Sequence, residues 1–191
     1  MMLRVGVLGS TRGTALQSVL DAIKSGDLEV EIPIVISDKQ SAPILERTAR
    51  YGIETLHIHP KGLERSEFDQ QVSSALERYD VQLVLMIGYM RIVTPEFVQR
   101  WHGQILNVHP SLLPAFGGLM NAKVHEAVLA SGVAETGCTI HQVTEEVDAG
   151  PIVLQKRCAV LPSDTVETLK ERVQALEQQA FVEVLRNWRS S

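Results

Sequence analysis

The chain has 191 residues, 45% hydrophobic and 21% charged, with a formal net charge of −5, a composition that suits one soluble domain with a sizeable core. An acidic chain without a basic block argues against a nucleic-acid or anionic-membrane partner, while a small phosphorylated ligand, which needs only a local site, stays possible. The cysteines Cys138 and Cys158 are too few and too far apart for a disulfide framework or a zinc cluster, and the longest apolar run is far too short to span a bilayer.

In chain order, the opening M-M-L-R-V-G-V-L reads as a first strand and not a signal peptide, so a cytoplasmic location is expected. Leu3 to Leu8 is predicted as that strand, and Thr14 to Ser25 as a helix ended by Gly26. A strand over Val30 to Ile36 and a helix over Ala42 to Tyr51, ended by Gly52, follow. Glu54 to Ile58 is a short strand and Ser66 to Tyr79 a helix. Val81 to Ile87 is nearly all apolar, as a strand covered on both faces must be. A short helix follows Pro95, and Gln104 to Val108 is another strand. The later part gives a helix over Val124 to Ser131, strands over Cys138 to Val143 and Ile152 to Val160, and a long amphipathic helix over Val166 to Trp188. The alternation predicts a single-domain, Rossmann-like α/β fold over residues 1–191, with a mostly parallel twisted sheet and helices on both faces.

Three stretches carry chemistry. V-L-G-S-T-R-G-T-A-L-Q, residues 7–17, joins the first strand to the first helix. Gly9 and Gly13 let the backbone approach a ligand, and the free N–H groups of a helix start make an anion site. Ser10, Thr11, Arg12 and Thr14 are candidate extra donors. The spacing matches neither the dinucleotide nor the triphosphate fingerprint; an ordinary capped turn is the plain alternative. L-N-V-H-P-S-L-L-P, residues 106–114, places Asn107 and His109 on one strand face, at a carboxyl end where open α/β sheets bind ligands. An amide and a protonated imidazole can both donate to one oxygen gaining negative charge, and a histidine can also shuttle a proton. E-E-V-D-A-G-P, residues 145–151, looks like any turn, but it joins two strands expected to extend the sheet past Asn107 and His109. Asp148 is then the natural partner for His109, and a carboxylate there is expected to hold the imidazole charged.

Other candidates are weaker. His57 and His59 flank Ile58 with no carboxylate or cysteine to complete a metal set, and edge packing is expected. His141 alternates with apolar residues, as a core or rim histidine does. The Glu/Arg-rich face of the last helix reads as a solvated surface.

Taken together, N-V-H-P-S-L-L-P and G-C-T-I-H-Q-V-T-E-E-V-D-A-G-P-I resemble the formyltetrahydrofolate-dependent transferases over essentially the whole chain. The resemblance implies transfer of a formyl group from 10-formyltetrahydrofolate to the amine of 5-phosphoribosylglycinamide (GAR) in purine biosynthesis, with no metal and no covalent enzyme intermediate. It implies a catalytic trio of Asn107, His109 and Asp148. It places the acceptor against Arg12, Gly13, Thr14, Ala15 and Glu177, and the folate against Arg65, Met90, Arg91, Ile92, Val93, Asn107, Thr144, Glu145, Glu146, Val147 and Asp148. It also divides the domain into a phosphate-binding half, about 1–100, and a folate-binding and catalytic half, about 101–191. A monomer or a homodimer is consistent with it.

The family's hydrolases usually carry a second histidine where Pro110 stands, and its tRNA-directed members a basic surface and a further barrel. The acidic chain and Pro110 favour a small acceptor. Two departures are visible. Thr11 and Ala15 replace a glycine and an asparagine usual in the phosphate loop, and residues 115–125 make a loop longer than in compact bacterial members. A non-catalytic phosphometabolite binder is the alternative from another class, and an amino-sugar nucleotide formylase the alternative among enzymes; the intact trio argues against the first.

Overall fold

The computed structural model describes residues 2–188. Strands β1 (Leu3–Leu8), β2 (Val30–Ser37), β3 (Glu54–His57), β4 (Leu83–Met86), β5 (Ile105–His109), β6 (Glu135–Gln142) and β7 (Ile152–Ala159) form one sheet in the order β3-β2-β1-β4-β5-β6-β7. The first five pair in parallel, and β6 and β7 each run antiparallel to the strand before them. Strand order reverses between β1 and β4, the place where an open α/β sheet leaves a crevice at its carboxyl edge.

The helices are α1 (Gln17–Ser25), α2 (Pro43–Ala49), α3 (Arg65–Arg78), α4 (Pro95–Arg100), α5 (Ala122–Ser131) and α6 (Val166–Asn187). Alternate strand residues divide between two cores. Val5, Val7, Leu83 and Leu85 meet Leu16, Val19, Val128, Val173 and Phe181 on one face. Leu8, Val84 and Met86 meet Phe68, Val72, Leu76 and Phe97 on the other. Burial on both faces is why the β4 sequence is continuously apolar. No helix among the described residues is long and apolar enough to cross a membrane.

The predicted architecture holds, with physical reasons for its local departures. The helix expected from Thr14 opens instead with a 3-10 turn, Thr14–Leu16, before α1 proper. β6 begins at Glu135, three residues ahead of the expectation, because Gly137 hides the strand signal. A Cβ there would lie 1.8 Å from the Lys156 carbonyl oxygen across the β6–β7 pair, so only glycine admits that close approach. β5 runs one residue further than expected, since His109 still pairs with Thr139.

Candidate functional site

The loop after β1 is shaped from behind. Gly13 has φ +62°, and a Cβ on it would meet Ile44 side-chain atoms at 2.5, 2.6 and 3.0 Å. The Ile44 N–H donates to the Thr11 carbonyl at 3.0 Å, and Arg47 Nε donates to the Arg12 carbonyl at 2.9 Å. Ser10 is not the free donor the sequence suggested. It is buried, its hydroxyl donates to Asp38 Oδ1 at 2.5 Å and accepts from the Met90 N–H at 3.0 Å, so it ties the loop to the ends of β2 and β4. Gly13→Val is therefore expected to damage the fold before it touches any ligand. Left-handed strain and overpacking against Ile44 together cost about 2–5 kcal/mol. Urea unfolding measures this, and a midpoint equal to wild type would show that the loop relaxes freely.

Asn107 and His109 project from β5, and Asp148 comes from the β6–β7 connection, where it holds φ +54°. Asp148 Oδ2 lies 3.4 Å from His109 Nδ1 and accepts from the Gly118 N–H at 2.8 Å, while Oδ1 lies 3.6 Å from His141 Nε2. His109 Nε2 faces the Phe116 carbonyl at 3.1 Å. Both ring nitrogens thus face oxygen acceptors, an arrangement that favours imidazolium. Burial works harder in the other direction. His109 is 4% exposed, and desolvation brings its pKa below the ordinary histidine value although the Asp148 charge pushes it up. Asp148 pushes the ring toward the charged form, as expected, but burial opposes it and is the larger effect. Burial also pushes the Asp148 carboxyl up, but His141, the Gly118 N–H and His109 outweigh it and hold it below the usual carboxylate range. Asp148 is an anion at neutral pH.

These groups share one cavity of about 360 Å³, within the usual size of a small-molecule site. Thr11 to Ala15, Met90 to Val93, Asn107, His109, Thr144 to Asp148 and Glu177 all line it. The sheet crevice has therefore gathered nearly every residue singled out in the sequence. Gly9 and Ser10 lie behind the cavity, and Arg65 lies outside it. Arg65 is the first residue of α3, and its charge acts on Asp69 instead. Arg91 lies over the Phe68 ring at 4.1 Å, which fixes the direction of the segment that follows β4.

Several lining residues were not expected in the site, among them His125 on α5, Lys170 and Gln174 on α6, and His141 on β6, which the alternation of its strand marked as a core or rim histidine. Lys170, Gln174 and Glu177 recur at i, i+4 and i+7, one helix face, a spacing that was visible but submerged in a charge-rich helix. α6 packs against the turn Thr14–Leu16, and Ser18 donates to Gln178 at 2.8 Å. Glu177 is buried, which raises its carboxyl to about 7 against the opposing charge of Lys170. His125 is buried with Nδ1 unpartnered; burial, with Lys170 and His109, lowers its pKa to about 4, so it is neutral. Among the described residues, no group of three or more His, Cys, Asp or Glu is placed to hold a metal ion.

A family model described as formyl transferase matches residues 3–185. A trifunctional purine biosynthetic protein adenosine-3 from Gallus gallus is 45% identical over 93% of this chain, which spans 18% of that protein's length. A phosphoribosylglycinamide formyltransferase from Haemophilus influenzae is 38% identical, with 97% of this chain and 86% of that protein covered. Among solved structures, glycinamide ribonucleotide transformylase 1 from Symbiobacterium toebii is 43% identical with a TM-score of 0.92, over 97% of this chain and 86% of that one.

Proposed function

Because the chain belongs to the formyl transferase family, we propose that it transfers the formyl group of 10-formyltetrahydrofolate to the amine of 5-phosphoribosylglycinamide. The products are the formylated ribonucleotide and tetrahydrofolate. The observation that carries this is that Asn107, His109 and Asp148 share one cavity with the glycine loop and the buried acid Glu177. A donor pair suited to a developing oxyanion and a site suited to a phosphoribosyl group sit within reach of one small acceptor.

The amine attacks the formyl carbon, and a tetrahedral intermediate forms with negative charge on oxygen. Asn107 and the imidazolium of His109 donate to that oxygen. Asp148, an anion at the Nδ1 of His109, favours the protonated ring; any proton that His109 gains comes from solvent and returns to it when the intermediate collapses. Asp148 also orders a water that carries the proton from the attacking amine to the leaving folate nitrogen. The bond from carbon to the amine forms on addition, and the bond from carbon to the protonated folate nitrogen breaks when the intermediate collapses, with no covalent enzyme intermediate. The reacting folate ring lies against Met90 to Val93 and Thr144 to Asp148. The acceptor phosphate lies against Arg12 to Ala15, and its ribose against Glu177. The two halves of the domain interlock, since Met90 to Val93 serves the folate and Glu177 serves the acceptor. Cys138 and Cys158 are free thiols, which fits a reducing cytoplasm as the place of action.

A spectroscopic assay that follows loss of 10-formyltetrahydrofolate with GAR as acceptor tests the reading. Saturable turnover is expected, and folate that stays formylated at every acceptor concentration overturns it. The phosphate assignment has its own test. Glycinamide riboside, which lacks the phosphate, is expected to bind about 10²-fold more weakly or worse than the ribonucleotide, the worth of one or two charge-assisted hydrogen bonds. Equal inhibition constants for the two would remove Arg12 to Ala15 from phosphate binding.

A further inference from the structure

His141 stands in β6 directly opposite Asn107 in the β5–β6 register and is almost fully buried. Its Nδ1 lies 2.9 Å from the Gln142 carbonyl. A carbonyl only accepts, so the proton of a neutral ring is on Nδ1 and Nε2 keeps its lone pair. Nε2 lies 3.2 Å from Asn107 Nδ2 and 3.6 Å from Asp148 Oδ1. The first is a hydrogen-bond distance and the second is not. Across the 3.2 Å contact, Nε2 accepts from the Asn107 amide.

That contact matters because an asparagine amide has two nearly isosteric orientations, related by exchange of its oxygen and nitrogen. They are opposite in chemical effect. One presents an N–H to an oxygen that gains negative charge; the other presents a carbonyl oxygen, which repels it. Nε2 of His141 selects between them, since only the NH2 group can donate to a lone pair. One N–H is then held by His141, and planarity of the amide sets the direction of the second.

We propose that His141 is a positioning residue, which locks the Asn107 amide in the orientation that presents N–H to the formyl oxygen. The inference rests on the formyl-transfer reading and adds to it a residue that never touches the reacting atoms.

The test is a double-mutant cycle. His141→Phe keeps a buried ring but removes the acceptor, and kcat is expected to fall about 10- to 10²-fold, part of the worth of a whole oxyanion donor, with both KM values within about twofold. In an Asn107→Ala background the same change is expected to cost less than about twofold, because no amide remains to orient. A purely structural histidine would cost the same factor in both backgrounds, and that result, or an unaltered kcat in the single variant, overturns the proposal. His141→Gln restores an acceptor and is expected to recover part of the loss. If the Phe variant does not fold, ¹⁵N NMR of the wild-type imidazole decides: the Nδ1–H tautomer is expected, and an Nε2–H tautomer overturns the proposal. Wild-type turnover with GAR is measured first. Its absence sinks the formyl-transfer reading, whereas turnover with a failed cycle sinks only the role of His141.

Discussion

His109→Ala is expected to lower kcat about 10²- to 10⁴-fold, the usual worth of a positioned acid–base side chain, in a protein that remains folded. The backbone of residue 109 pairs with Thr139 at the β5–β6 edge, and that pairing does not need the imidazole. The lost side chain is enclosed but borders the cavity, so solvent fills much of the space and the stability loss stays within about 1–3 kcal/mol. The chemical loss is larger because no other group takes over. Asn107 still donates to the oxyanion, but Asp148 is left beside it as an uncompensated anion, which repels the charge forming there. His141 does not replace the imidazole, since its Nδ1 is engaged by the Gln142 carbonyl. Stopped-flow or steady-state absorbance gives kcat, and circular dichroism reports the fold. A folded variant turning over near the wild-type rate would remove His109 from the mechanism.

The parts of this site that lay open in the sequence are those encoded by local pattern. Asn107 and His109 at strand spacing before Pro110 specify a shared face whatever the rest of the chain does. The glycines at 9 and 13 mark a strand–helix turn, Gly13 because its φ is +62° and Gly9 because a Cβ there would meet Ile44 at 2.6 Å and the Ile87 carbonyl at 3.0 Å. Asp148 lies in a turn-forming Asp-Ala-Gly-Pro, and its φ of +54° is one that aspartate tolerates better than most residues. What stayed hidden depends on register and burial. His141 meets Asn107 only because β6 pairs antiparallel with β5 in one particular register; a single strand shows only alternation. Ser10 looked free because Asp38 and the Met90 N–H reach it from other strand ends. Arg65 looked like a folate contact by resemblance, yet α3 carries it to the start of a helix outside the cavity. For His109 the sequence showed one side of the electrostatic balance. The charge partner was legible, while the desolvation that exceeds it is a property of the whole packed site.

Asp148→Asn tests that electrostatic balance. The substitution keeps the size of the side chain and an oxygen that accepts from the Gly118 N–H, but removes the charge 3.4 Å from His109 Nδ1. Burial lowers the His109 pKa and Asp148 opposes it, so without the charge the pKa falls further. Less imidazolium is then present at pH 7, so kcat/KM is expected to fall there, and the limb along which activity declines with rising pH moves to lower pH. Below both pKa values His109 is protonated in either protein, so the gap narrows as the medium is acidified; what remains there is the loss of the ordered water. A turn aspartate with no tie to His109 behaves differently. Its carboxyl, held below the usual range, contributes stability that is present above the unfolded carboxyl pKa of about 4 and lost as pH falls through the folded value. Asp148→Asn would then change acid unfolding and leave the limb of the rate profile in place. Titration of His109 by NMR in both proteins separates the cases, and a His109 pKa that is unchanged or raised in the variant would return Asp148 to the role of a turn residue.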